Sequence, residues 1–202
     1  MRPDPAVKRA CPDEPLRAAR VKRRAAQPMR DATVRIAPYD PAWPAAFVQE
    51  QGLLREILAP WLAGEIEHIG STSVPGLAAK PIIDVMAPVV SLGHARAAIA
   101  AVTSAGYAYF PYKRDLMHWF CKPSPQRRTH HLHLVPRGSA LWLERLAFRD
   151  ALRKDSNLAA AYAALKARLA VQFEDDREAY TEAKSPFIVA VLEAMRGSES
   201  AV

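Results

Sequence analysis

The fold follows from HIGSTSVPGLAAKPIIDVM at residues 68–86, which predicts a strand, a tight loop and a second strand. Gly70 and Ser71 come directly after the first strand, where a bare backbone and a small hydroxyl group let an anion approach closely. Thr72 and Ser73 add two more hydroxyl donors. These four residues are therefore candidate phosphate ligands.

Asp84 interrupts the apolar run at residues 82–87 that predicts the second strand. An unpaired buried charge is very costly, so this carboxylate needs a metal, a cation or an open cleft beside it. Side chains alternate across a strand, so Ile83 and Val85 are expected to pack on helices while Asp84 and Met86 face a cleft. Two interpretations stay open: Asp84 binds a metal or substrate, or it is a structural residue paired with an arginine or backbone amides.

Two histidines follow the same alternation in a later strand. His131 and His133 are two residues apart and share one face, while Leu132 and Leu134 share the other. If the leucines face the core, the imidazoles reach the cleft beside Asp84. They would then serve as metal ligands, as a general base or as donors to phosphate. The alternative is a pair of hydrogen-bonded histidines that only shape the pocket.

Several cations are further candidates for binding phosphate, since arginine suits bidentate contact and lysine supplies a point charge. They are Lys80, Arg149, Arg153, Lys166 and Lys184. Arg149 and Arg153 are four residues apart on a predicted helix, so both can reach one side. Asp150 is expected to point elsewhere on that helix. For any one of these cations alone, the alternative is a solvated surface position.

The order of elements predicts an α+β fold, a small mixed sheet followed by a helical C-terminal part. We expect residues 1–31, with five prolines and no apolar period, to be a disordered extension, and residues 32–202 to form one domain. The segments 34–36, 66–69, 82–87, 107–112, 116–122 and 129–135 are predicted strands. The predicted helices span 40–62, 91–105, 140–153, 158–173 and 186–195.

Composition limits the classes of function. The net charge is +7, but residues 1–31 hold nine Lys/Arg against four Asp/Glu, so the basic character belongs mainly to this segment. It has no interleaved aromatic residues, so we do not expect nucleic acid as a partner. No 18-residue apolar run predicts a membrane span, and no apolar segment follows the first basic residues. With only Cys11 and Cys121, the expected location is the cytoplasm.

Six ordered motifs between residues 32 and 196 resemble the GrpB family, a branch of the nucleotidyltransferase superfamily. They are YDPAWPAAF (39–47), HIGSTSVPGLAAKPIID (68–84), THHLHLV (129–135), FRDALR (148–153), YAALK (162–166) and YTEAKSPFI (180–188). The superfamily signature is a Gly-Ser turn, a spacer and a strand carrying Asp-x-Asp/Glu. The resemblance implies a mixed sheet with helices on one face and the cleft on the other.

In that superfamily the carboxylate at the position of Asp84 holds Mg²⁺, which bridges nucleotide phosphates. This chain departs from the pattern, because Met86 occupies the position of the second carboxylate. Asp84, His131 and His133 are then the expected ligands of Mg²⁺, Mn²⁺ or Zn²⁺, and imidazole nitrogen favours the transition metals. We assign catalysis to Asp84 and His133.

The resemblance implies nucleotidyl transfer from a nucleoside triphosphate to an unknown acceptor, so the expected partner is a nucleotide or another phosphorylated small molecule. The alternative is a non-catalytic phosphate-binding or folding-partner module, like the GrpB-type domain appended to dephospho-coenzyme A kinase. The missing second carboxylate fits that alternative. A histidine-triad hydrolase is disfavoured, because Val135 stands where its third histidine would be.

Overall fold

A five-stranded mixed sheet organises the chain in the computed structural model, which describes residues 33–199. The expectation of a disordered segment at 1–31 lies outside these residues. In chain order the strands are β1 Glu67–Ile69, β2 Ile83–Val89, β3 Ala108–Phe110, β4 His118–Pro123 and β5 Arg128–Pro136. Across the sheet the order is β1-β2-β5-β4-β3. The central pair, β2 and β5, is parallel, and the other pairs are antiparallel.

Six α-helices and two short 3₁₀ helices, Ser71–Ser73 and His94–Ala97, complete the described part of the fold. The α-helices are α1 Trp43–Leu58, α2 Ala98–Ser104, α3 Ala140–Lys154, α4 Ser156–Gln172, α5 Arg177–Glu182 and α6 Ser185–Glu199. The α+β fold with a helical C-terminal part is thereby confirmed. Among the described residues, no helix is long and apolar enough to cross a membrane.

The alternation of side chains in β2 and β5 separates the two faces of the sheet. Val85 and Leu132 point to one face, where α1 covers them with Leu54 and Leu58; all four side chains are fully buried. Met86 points to the other face, which α3 borders through Trp142. Burying these apolar side chains contributes on the order of 25 cal/mol per Å². The cleft lies on this second face, between the sheet and the C-terminal helices.

Three local elements differ from the sequence expectations. Residues 34–36 do not form an edge strand; instead Ala37 makes one isolated bridge with Ala79. The first helix ends at Leu58, because Pro60 cannot donate the next helical hydrogen bond. The short helix α5 was not expected. Asp176 starts it, since its carboxylate accepts the backbone N–H of Ala179 at 2.9 Å.

Candidate metal centre

The parallel pairing of β2 with β5 brings the carboxylate and the two histidines together. In the register Asp84 lies opposite His131, and Met86 lies opposite His133. His131 Nδ1 is 2.8 Å from Asp84 Oδ1, and His133 Nε2 is 3.7 Å from the same oxygen. Burial alone would raise the pKa of Asp84, but the hydrogen bond from His131 and the neighbouring His133 ring hold it well below its usual value. Asp84 is therefore a carboxylate.

The partners of the two imidazoles determine which nitrogen of each carries the proton. An ionised carboxylate can only accept, so His131 Nδ1 donates to Asp84. A thioether has no proton to give, so His133 Nδ1 donates to Met117 Sδ at 3.3 Å. Burial lowers the pKa of both histidines, that of His133 to about 3, so both rings are neutral. Each Nε2 then carries a lone pair, and neither has a hydrogen-bond partner among residues 33–199.

This donor set fits a divalent metal ion. One ligand atom from each of Asp84, His131 and His133 can be chosen so that all three lie within 4.8 Å of one another. Two imidazoles and one carboxylate suit Mn²⁺, Fe²⁺ or Zn²⁺, whereas Mg²⁺ prefers oxygen ligands. The buried, unpartnered Nε2 atoms are the groups that an ion would engage.

The loop after β1 passes directly beside Asp84. Gly70 has φ +70°, and a Cβ at this position would lie 2.4 Å from Asp84 Oδ2, so only glycine fits. The hydroxyls of Thr72 and Ser73 are engaged within the loop region: Thr72 donates to the Ile82 carbonyl at 3.2 Å, and Ser73 to the Gly70 carbonyl at 2.6 Å. Both side chains therefore support the loop.

The four loop residues predicted to bind phosphate do not all reach the cleft. Gly70, Ser71 and Thr72 line it, whereas Ser73 lines a second cavity of about 610 Å³ behind the loop. His68 orients the loop, since its Nε2 is 3.1 Å from Thr72 Oγ1. Ser71 is thus the loop hydroxyl best placed for a ligand.

Lys80 and Lys184 form a cationic pair on one buried ring. Their Nζ atoms lie 4.8 and 4.4 Å from the centroid of the Tyr180 ring, which is 1% exposed. Within the described residues, neither ammonium has a hydrogen bond or an ion pair. Burial lowers the pKa of Lys80 to about 7 and that of Lys184 to about 8, and the charge of Lys184 adds to the shift at Lys80. Two like charges on one ring favour an anionic ligand beside them.

The two arginines predicted to bind phosphate have protein partners. Arg149 donates to Glu67 Oε2 at 2.7 Å and to Asp150 Oδ1 at 2.7 Å. The expectation that Asp150 points away from Arg149 is wrong, because the long arginine side chain bends back along the helix to its neighbour. Arg153 donates through Nε and Nη2 to the Ser73 carbonyl, at 2.9 and 2.8 Å, and so holds the loop.

Two further cations belong to the cleft. Lys166 is 2% exposed, and its Nζ donates to the Ala78 carbonyl at 2.5 Å. This predicted phosphate ligand therefore has a partner within the protein. Arg145 was missed. It lines the cleft four residues before Arg149 on α3, and this helical spacing was the signal that could have found it.

The whole cleft encloses about 810 Å³ and contains the candidate metal triad (Asp84, His131 and His133), the lysine pair and Arg145. That volume suits a ligand of the size of a small organic molecule. The cleft combines a candidate metal centre with cations on its walls, a combination that suits phosphate or carboxylate ligands.

Comparisons with known proteins identify the family. The GrpB protein family model matches residues 33–194. A UPF0157 protein of Pseudomonas aeruginosa is 38% identical over 169 residues, which cover 80% of this chain and 67% of that protein. The crystal structure of conserved protein GrpB from Enterococcus faecalis superposes with a TM-score of 0.73 and 34% identity, covering 81% of this chain and 99% of that one. The chain belongs to the GrpB family.

A further relative is longer than this chain. The dephospho-CoA kinase of Mycolicibacterium paratuberculosis is 28% identical over 187 residues, which cover 77% of this chain and 44% of that protein. The similarity therefore involves one region of that kinase.

Proposed function

We propose that this protein is a metal-dependent nucleotidyltransferase that acts on a nucleoside triphosphate and a separate acceptor. The observation that carries the proposal is the pair of buried Nε2 lone pairs beside the ionised Asp84, in a cleft whose lysines have no anionic partner among the described residues. A divalent ion would engage the first group, and phosphate oxygens the second.

The roles of the residues follow from their contacts. Asp84, His131 and His133 would hold a divalent ion, which would neutralise phosphate charge. His133 is a ligand here rather than a general base, because its Nε2 has no other partner in residues 33–199. Lys80 and Lys184 bind the β- and γ-phosphates, and Ser71 and the Gly70 backbone approach the same group.

The proposed reaction is a substitution at the α-phosphorus. A hydroxyl oxygen of the acceptor bonds to that phosphorus, and the bond to the β-phosphate oxygen breaks. Pyrophosphate leaves with the electron pair, and the hydroxyl proton passes to water. The cleft contributes orientation and charge stabilisation, which are the main terms in phosphoryl transfer.

Pyrophosphate release tests this function. The protein is mixed with Mn²⁺ or Mg²⁺, each labelled nucleoside triphosphate and a pool of small-molecule acceptors. We expect metal-dependent pyrophosphate release and a labelled acceptor, both lost in Asp84→Asn. Triphosphate that binds but is never turned over, with any metal or acceptor, would refute transfer and leave binding.

The similarity to a dephospho-CoA kinase favours a second function, and so does Met86, which occupies the position of the second metal carboxylate. In this alternative the chain is a non-catalytic phosphate-binding or folding-partner module, as its counterpart in dephospho-CoA kinase would be. The test is to co-express the chain with a dephospho-CoA kinase domain that lacks the matching region. A higher soluble yield, equal for wild type and Asp84→Asn, would support this alternative.

A further inference from the structure

Arg145 lies in the cleft without a carboxylate partner among the described residues. Its hydrogen-bond contact there is from Nη2 to Met117 Sδ, at 3.9 Å. A thioether is a weak acceptor, whereas a guanidinium carries five N–H donors. The adjacent carboxylate of Glu144 accepts instead from Arg196, at 3.1 Å. Most donors of Arg145 are therefore available to a ligand.

Met117 places Arg145 at one end of the metal triad. The same sulfur accepts from His133 Nδ1 at 3.3 Å, so Arg145 and His133 lie side by side. A guanidinium so close to a metal ligand can contact a group that is bound next to the metal.

The lysine pair lies at the other end of the triad. Lys80 comes three residues before Ile83, where β2 begins, and His133 lies opposite Met86, further along the same strand. Asp84 and Met86, which lie opposite His131 and His133, are two residues apart in β2, and two residues of strand span about 7 Å. The cleft therefore runs along β2 from Lys80, past Asp84, His131 and His133, to Arg145.

On the basis of the proposed transfer function, we infer that Arg145 binds an oxyanion of the acceptor, a carboxylate or a phosphate group. In an in-line displacement the attacking and leaving oxygens lie on opposite sides of the phosphorus. Two lysines on one ring suit the high charge of a leaving polyphosphate, and one planar guanidinium suits a single oxyanion. The acceptor is thus an anionic molecule that enters from the side of Arg145.

The test uses two probes with the full-length protein in the presence of Mn²⁺. Tripolyphosphate fills the lysine end, and inorganic phosphate or succinate is then titrated by calorimetry. We expect wild type to bind one of these second anions. Arg145→Met weakens it by at least about tenfold and leaves tripolyphosphate affinity unchanged. Lys80→Met should instead weaken tripolyphosphate binding and leave the affinity for the second anion unchanged. Binding of phosphate or of succinate tells which oxyanion the acceptor carries.

Matched variants keep the test decisive. Arg168→Met removes an exposed arginine of α4 and should change neither affinity. Arg145→Lys retains the charge but loses the forked guanidinium donors, so it should bind the second anion with intermediate affinity. If circular dichroism shows that Arg145→Met is unfolded, Arg145→Lys takes its place in the test. The inference is overturned if neither second anion binds, or if Arg145→Met weakens tripolyphosphate as much as Lys80→Met does. Failure of the transfer function would show instead as absent pyrophosphate release with both anions bound.

Discussion

Two carboxylates lie on opposite faces of the sheet, and each has a histidine of β5 beside it. On the face covered by α1, Glu50 is 5% exposed and accepts from the Tyr107 hydroxyl at 2.7 Å. The Lys122 ammonium donates to its other oxygen, and His130 Nε2 is 3.8 Å away. A positive charge and a hydroxyl thus compensate the charge of Glu50 with groups of the protein itself.

On the cleft face, groups of the protein compensate the charge of Asp84 only in part. Asp84 accepts from His131, but both neighbouring imidazoles keep an Nε2 without a partner in the described residues. Two cations of its cleft, Lys80 and Lys184, have no carboxylate in contact within the described residues. The comparison shows that a buried acid in a polar cluster does not by itself mark a ligand site. Unmatched donors and acceptors around the acid distinguish Asp84 from Glu50.

The largest effect is expected from breaking the Glu50 cluster. Glu50→Ala leaves Lys122 without its acid and should lower the free energy of unfolding by about 3–5 kcal/mol. Denaturant unfolding measures this loss, and metal titration should show no change. Glu56→Ala, an exposed position on the same helix, is the control. Reduced metal binding in folded Glu50→Ala would mean that the two clusters are not independent.

The buried lysines of the cleft should make stability depend on pH. Burial lowers the pKa of Lys166 to about 7, so between pH 7 and its unfolded value of 10.5 the unfolded state binds more protons. The free energy of unfolding therefore rises with pH in this window, by up to about 1.4 kcal/mol per pH unit for one lysine.

Variants at two lysines measure that slope. Lys166→Met should flatten the rise between pH 7 and 9, whereas the exposed Lys154→Met should leave it unchanged. Unfolding in urea at several pH values gives the curve. A wild-type stability that falls across this window would contradict the assignment of a lowered pKa.

The approach of the loop to Asp84 predicts a smaller effect. Gly70→Ala and Gly76→Ala both place a side chain at positive φ, which costs about 1–2 kcal/mol. Only the first also meets Asp84, since Gly76 has open space around its Cβ position. Gly70→Ala should therefore lose more stability than Gly76→Ala, and only Gly70→Ala should weaken metal binding. Equal metal affinities in the two would show that the loop does not hold Asp84 in place.

The smallest effect concerns Met117. Replacing it with leucine removes the acceptor of His133 Nδ1, so the ring no longer has one fixed tautomer. Metal affinity should fall about tenfold with little loss of stability. Met86→Leu, a similar change in the same apolar layer, is the control. If both variants bind metal equally, Met117 does not orient His133.

Side-chain alternation was enough to place much of this arrangement. It put Asp84 on one face of its strand and His131 and His133 on one face of theirs. The pairing of β2 with β5 joins residues 47 positions apart, and alternation alone does not predict it. The expected approach of the histidines to Asp84 depended on Leu132 and Leu134 facing the core. Within the Gly-Ser loop, the sequence identified the hydroxyl groups but could not tell that Thr72 and Ser73 bond to backbone carbonyls.

Cations were harder to assign, because their partners come from distant segments. Arg149 meets Glu67 and Arg153 meets the Ser73 carbonyl, contacts that no local pattern indicates. Arg145 lies outside the quoted motifs and was overlooked, although it lacks a carboxylate partner in residues 33–199. Helical spacing shows which residues share a face, but charge compensation is decided by tertiary contacts.

Metal titration tests the central claim most directly. Mn²⁺, Zn²⁺ and Mg²⁺ are titrated by calorimetry into wild type, Asp84→Asn and Glu50→Gln, with and without triphosphate. We predict that wild type binds one Mn²⁺ or Zn²⁺ more tightly than Mg²⁺, that Asp84→Asn weakens this binding by at least about 100-fold, and that Glu50→Gln binds like wild type. Equal binding by wild type and Asp84→Asn, or no binding of any of these metals by wild type, would contradict the account.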